Sequence, residues 1–115
     1  MKTRWIIMFL TTIAVTLSFA SAGLAMELGN KRKGKYTYRK VYQACHKRGE
    51  VDSKTPFLSP ADKTQAEWEA LYNGKDYSQF KCAEEWNALS DKQVLDIFSY
   101  LYSFGSDSPT PAKCK

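Results

Sequence analysis

Histidine is almost absent from this 115-residue chain: His46 stands alone, and none of the three methionines lies beyond Met26. A Cys/His zinc site would have to gather His46 with all three widely spaced cysteines, and no metal-ligand spacing points to one. No stretch alternates apolar and polar residues as a half-buried strand does, and no internal repeat recurs. No nucleic-acid fold signature is present. The long uncharged apolar run, Trp5 to Phe19, is shorter than the ~20 residues that span a bilayer comfortably. What remains is a small helical domain with few polar atoms suited to chemistry.

The N-terminus has the three-part layout of a secretory signal peptide. Lys2 and Arg4 form a positive start, the apolar run follows, and Ala20-Ser21-Ala22 or Gly23-Leu24-Ala25 offers a cleavage site. The expected division is a signal peptide over 1–25 and one mature domain over 26–115. The mature protein is then periplasmic or otherwise exported, with no stable membrane anchor after cleavage. A domain of about 90 residues is small for a self-sufficient core. Such a domain commonly relies on disulfides, a metal or a large prosthetic group. Export permits disulfides, but Cys45, Cys82 and Cys114 make an odd number, so one thiol has another fate.

Removing Lys2 and Arg4 from the 17 Lys and Arg leaves 15 against 12 Asp and Glu, a net charge of +3. The positive charge is concentrated at Lys31, Arg32, Lys33, Lys35, Arg39, Lys40, Lys47 and Arg48. Such a patch can steer an acidic protein partner or touch phosphate, and it can equally be a solvated helix face with a loose arm.

Tyr38, Val41, Tyr42 and Cys45 recur at helical spacing over 34–46, and Gly49 supplies a stop. Residues 27–33 are polar and read as an arm. Residues 50–60, with Pro56 and Pro60, read as an extended loop. Ser59-Pro60 starts a second helix running to Tyr72, with Ala61, Trp68, Leu71 and Tyr72 inward. One turn is expected between Cys82 and Trp86. The last helix is announced by the Ser90/Gln93 capping box. Its stripe is Val94, Leu95, Ile97, Phe98, Leu101 and Phe104, opposed by Lys92, Asp96, Ser99 and Ser103. The fold class is all-α, three main helices with long loops. Their inward groups are few and aromatic, so a flat apolar group in the middle is expected.

Tyr42-Gln43-Ala44-Cys45-His46 holds the second cysteine and the histidine of C-x-x-C-H, the attachment motif of a c-type haem. Tyrosine stands in place of the first cysteine. Gly34 and Tyr38 precede it at four-residue intervals, Thr55-Pro56-Phe57-Leu58 follows, and Leu89-Ser90-Asp91 and Tyr100-Leu101 mark the last helix. Over residues 34–104 the chain resembles a small monohaem class I cytochrome c. The resemblance implies a cytochrome c-like fold in which Gly34 lets the last helix cross closely, opposite Tyr100. It implies haem c held by one thioether from Cys45, with His46 as iron ligand and the Pro56 carbonyl accepting its ring N–H.

The family's distal methionine has no counterpart, and Cys82 lies nearest its position. Cys82 is read as bridged to Cys114, which leaves Cys45 for the haem; a Cys82 thiolate on iron is the alternative. The functional expectation is electron transfer rather than enzymatic chemistry, with an acidic redox protein as partner and no nucleic acid. Two other readings stay open. One is a haem-free, cytochrome-like interaction subunit of a redox complex, and the other a five-coordinate haem protein binding a small ligand.

Overall fold

The computed structural model describes residues 27–112; the expected signal peptide and Cys114 lie outside them. The fold is all-α, and no strand occurs among the described residues. We number the helices α1 (Lys31–Arg48), α2 (Gln65–Gly74), α3 (Ala83–Asn87) and α4 (Asp91–Ser103), with 3-10 turns at Pro60–Asp62 and Ser78–Phe80.

Helix α1 starts earlier than its apolar spacing indicates, because Asn30 caps it. The Asn30 side chain accepts hydrogen bonds from the Arg32 and Lys33 backbone N–H groups, satisfying donors that a helix start leaves unpaired. The segment before it is docked rather than loose. Gly29 N–H donates to Ser99 Oγ at 2.6 Å and Asn30 N–H to Asp96 Oδ1 at 2.8 Å. This corrects the assignment of Asp96 and Ser99 to the outer face of α4: both are buried. Ser99 Oγ also donates to the Leu95 carbonyl and Lys92 pairs with Asp96 Oδ2, so both buried groups are partnered, which offsets the cost of burying them.

Helices α1 and α4 cross at Gly34. A Cβ there would collide with the Asp96 carbonyl group and come within 2.8 Å of the Ile97 nitrogen. The close crossing is therefore real, but it falls one turn before Tyr100. Two backbones in contact cannot move apart cheaply in a packed core, so the requirement for glycine is steric.

The second helix is split where one continuous run was expected. Ser59 caps only the short Pro60–Asp62 turn, and Thr64 with Glu67 makes a second capping box that starts α2. The loop is tied down by side chains from the core. Tyr38 Oη donates to the Leu58 carbonyl at 2.7 Å, and Trp68 Nε1 donates to the Pro60 carbonyl at 2.9 Å. On the other side of α2, Gln65 N–H donates to Asp107 Oδ1 and Ser106 N–H to the Lys63 carbonyl. These bonds fasten the start of the C-terminal tail.

The middle of the domain is filled by the chain's own rings. Tyr42, Trp68, Phe80 and Phe98 are inaccessible to solvent. Phe80 lies 4.7 Å from Trp86 between ring centroids, and Trp68 stacks on Phe80 at 6.1 Å. Tyr77 stacks on the other face of this cluster, 5.1 Å from Trp86. Edge-to-face and offset ring pairs of this kind add to the stabilisation from burial alone.

Candidate functional site

Cys45 lies on the buried stripe of α1, one turn beyond Val41 and Tyr42. Cys82 sits just before α3, with Lys81 and Cys82 both at positive φ, 55° and 56°. Positive φ is unusual for residues with a Cβ, and Cys82 itself, in the left-handed region with ψ 41°, is turned inward. Both cysteines are fully buried, and the structure joins them in a disulfide with a Cα–Cα distance of 5.7 Å. This corrects the expected Cys82–Cys114 pairing. Cys82 is carried to α1 by the turn at Ser78–Phe80, and the described part of the tail is held by hydrogen bonds. One of those is Ala112 N–H to the Phe104 carbonyl at 3.0 Å. By parity the remaining cysteine is Cys114.

Beside the disulfide lies a clasp of charges that the sequence pattern did not single out. Arg48 Nη2 bonds Glu50 Oε1 at 2.9 Å and Glu85 Oε1 at 2.7 Å, and Arg48 Nε also pairs with Glu84 at 3.0 Å. Glu50 Oε2 accepts the Cys82 N–H at 2.5 Å. One carboxylate thus links the end of α1 to the turn that carries Cys82. The Arg48 hydrogen bond and then the Cys82 N–H hold the Glu50 carboxyl below its ordinary pKa; Arg48 does the same for Glu85.

A depressed carboxylate pKa stabilises the fold at pH above the ordinary value near 4.3, and the contribution disappears as pH falls through the folded value. Urea midpoints are therefore expected to fall on acidification below about pH 5. The Glu50→Gln variant should show a shallower fall over the same range. An unchanged acid slope in that variant would count against the clasp.

His46 lies at the exposed end of α1. Its Nδ1 is 2.9 Å from the Val51 carbonyl. A carbonyl only accepts, so Nδ1 is the donor in this contact. The partner is Val51 and not Pro56, because α1 runs past His46 to Arg48 and the chain turns back at once through Gly49, whose φ is +91°. Pro56 instead lines a cleft against Tyr38 and Tyr100.

Cys45 and His46 are adjacent in sequence yet face different surroundings, one inside and one outside. The two clefts nearest Tyr38 and Tyr42, about 240 and 260 Å³, are lined by neither of them. Tyr42 occupies the space between α1 and the Ser78–Phe80 turn, where its Oη donates to the Phe80 carbonyl at 2.7 Å. Its ring also meets Tyr38 edge-on at 5.4 Å. With the Cys45 sulfur bonded to Cys82 and this space filled, the residues as arranged do not fit a covalent haem.

The outer face of α1 is the second feature. Lys31, Arg32, Lys33, Lys35, Arg39, Lys40, Lys47 and Arg48 are all exposed, and the helix contains no Asp or Glu. Tyr36, at 60% exposure, lies among them with Lys40 Nζ 4.8 Å from its ring centroid. Among the described residues no helix is long and apolar enough to cross a membrane. Compared with protein-family models, characterised proteins and solved structures, the chain matches none.

Proposed function

We propose that this chain is an exported, haem-free helical interaction domain, a cytochrome c-like module that docks an acidic partner through α1. The observation that carries the reading is the Cys45–Cys82 disulfide packed against Tyr42. It uses the one sulfur available to a thioether and closes the core with the chain's own atoms. The docking surface follows from charge. Apart from Arg48, which Glu50, Glu84 and Glu85 engage, the cations of α1 are exposed with no anion on the helix, and their positive potential speeds encounter with an acidic protein. The resemblance described above makes a redox protein the natural partner.

Electron transfer by haem c is the second reading, and His46 favours it. A histidine oriented through Nδ1 with Nε2 free is how proteins prepare an imidazole to ligate a metal. That reading requires Cys45 to be free of Cys82. Production in a host with haem-c maturation, followed by an absorption spectrum and intact mass, separates the two. The expected result is a colourless protein with an apo mass two hydrogens light. A Soret band with a haem-sized mass increase would establish the electron-carrier reading instead.

A further inference from the structure

We propose that the cleft between α1, the 55–60 loop and α4 is an anchor pocket for a carboxylate side chain of the acidic partner. The proposal rests on the docking reading and names the place where that docking becomes specific. The cleft measures about 240 Å³, below the ~300–1,000 Å³ usual for small-molecule sites, and suits a single side chain. Pro56, Leu58 and Pro60 give it apolar walls, while Lys35 and Arg39 stand at its edge. Those two are four residues apart on α1 and so share a face.

Tyr100 supplies the third polar group. It lines the same cleft, and its hydroxyl makes no hydrogen bond among the described residues. Burial raises its pKa, and Arg39 only partly opposes this, so the hydroxyl stays a donor. The neighbouring Tyr38 hydroxyl is spent on the Leu58 carbonyl. Asp62 acts electrostatically on Tyr38 but accepts the Ser59 N–H at 2.7 Å and does not line the cleft.

An arginine, a lysine and a tyrosine that line one cleft with proline and leucine match a carboxylate on a methylene stem. Arginine bonds carboxylates in a bidentate fashion, and the apolar walls take the stem. A phosphodiester of lipid or nucleic acid carries a substituent on each side, which a cleft of about 240 Å³ accommodates less well than one terminal carboxylate. The recognised group is therefore a glutamate-type side chain, and the wider face of α1 gathers the partner's remaining negative charge.

The test is a calorimetric titration of the oxidised mature protein at low salt. The probe is a blocked peptide of alternating glutamate and leucine, with its glutamine counterpart as control. The glutamate peptide is expected to bind and the glutamine peptide to bind at least about 10-fold more weakly. Arg39→Gln should weaken binding about 10-fold and Tyr100→Phe about 3- to 5-fold. Lys33→Gln and Lys40→Gln remove the same charge outside the cleft and should change it less than about 2-fold. Circular dichroism verifies that each variant is folded. Equal losses at Lys33, Lys40 and Arg39 with no effect of Tyr100→Phe would overturn the anchor while leaving docking by α1 intact. Equal binding of both peptides, or no binding of either, would overturn the anchor and remove the support for an acidic partner.

Discussion

Replacing Cys45 and Cys82 together by alanine is expected to lower the stability of the domain by about 4 kcal/mol. The bridge joins residues 37 apart, and closing a loop of that length in the unfolded chain removes entropy worth roughly this amount. A domain of this size has a total stability on the order of 5–10 kcal/mol, so the loss is a large share of it. Both sulfurs are fully buried, and the substitution also leaves small voids that add to the loss. Urea denaturation of the oxidised protein, the reduced protein and the double variant provides the measurement. Reduction and substitution should give midpoints close to one another and well below the oxidised form. A reduced protein as stable as the oxidised one would show that the staple is dispensable.

The second large effect concerns Tyr42. Truncation to alanine should destabilise by about 3–5 kcal/mol, the usual range for deleting a buried aromatic ring. Tyr42→Phe keeps the ring and removes only the hydroxyl that serves the Phe80 carbonyl. That change should cost about 1–3 kcal/mol, because the carbonyl stays buried without its donor. The difference between the two variants isolates the ring, which packs edge-on against Tyr38 and Phe57. Were Tyr42→Ala to cost less than 1 kcal/mol, the space it fills would be open to another occupant.

How much of this was legible in the sequence depended on whether the signal was local. The capping box at Ser90 and the apolar stripe of α4 are short-range patterns; the box is formed and Val94, Ile97, Phe98 and Leu101 of the stripe are buried, while Leu95 and Phe104 are only half-buried. The resemblance to class I cytochromes c implied a close crossing at Gly34, and the helices do cross there. The position of the crossing was missed by one turn, since helix periodicity does not fix axial register between two helices. Asp96 and Ser99 were placed on the solvent face for the same reason. Their partners are the backbone donors of Gly29 and Asn30, some 70 and 66 residues away.

The disulfide was the largest miss. Counting cysteines establishes that one of three is unpaired, but pairing depends on Cα separation, which spacing along the chain does not encode. Cys45 was assigned to a haem because the C-H dipeptide is a local motif, while the turn that brings Cys82 to it is not. The Arg48–Glu50–Glu85 clasp was invisible for a similar reason, as Glu85 meets Arg48 only once the bridge region has folded. The basic content of α1 was plain from the sequence. That Lys35 and Arg39 border a cleft with Tyr100 needed the tertiary structure, although their i, i+4 spacing had already put them on one face.

The central claim is that the Cys45 sulfur belongs to Cys82 and to no cofactor, and a non-reducing peptide map tests it most directly. The mature protein is produced in a host with haem-c maturation, digested without reductant and analysed by mass spectrometry. The expected result is one linked pair, the peptide holding Cys45 joined to the peptide holding Cys82, which separates on reduction, with Cys114 outside the pair. A haem adduct on the Cys45 peptide, or a Cys82–Cys114 link, would contradict it.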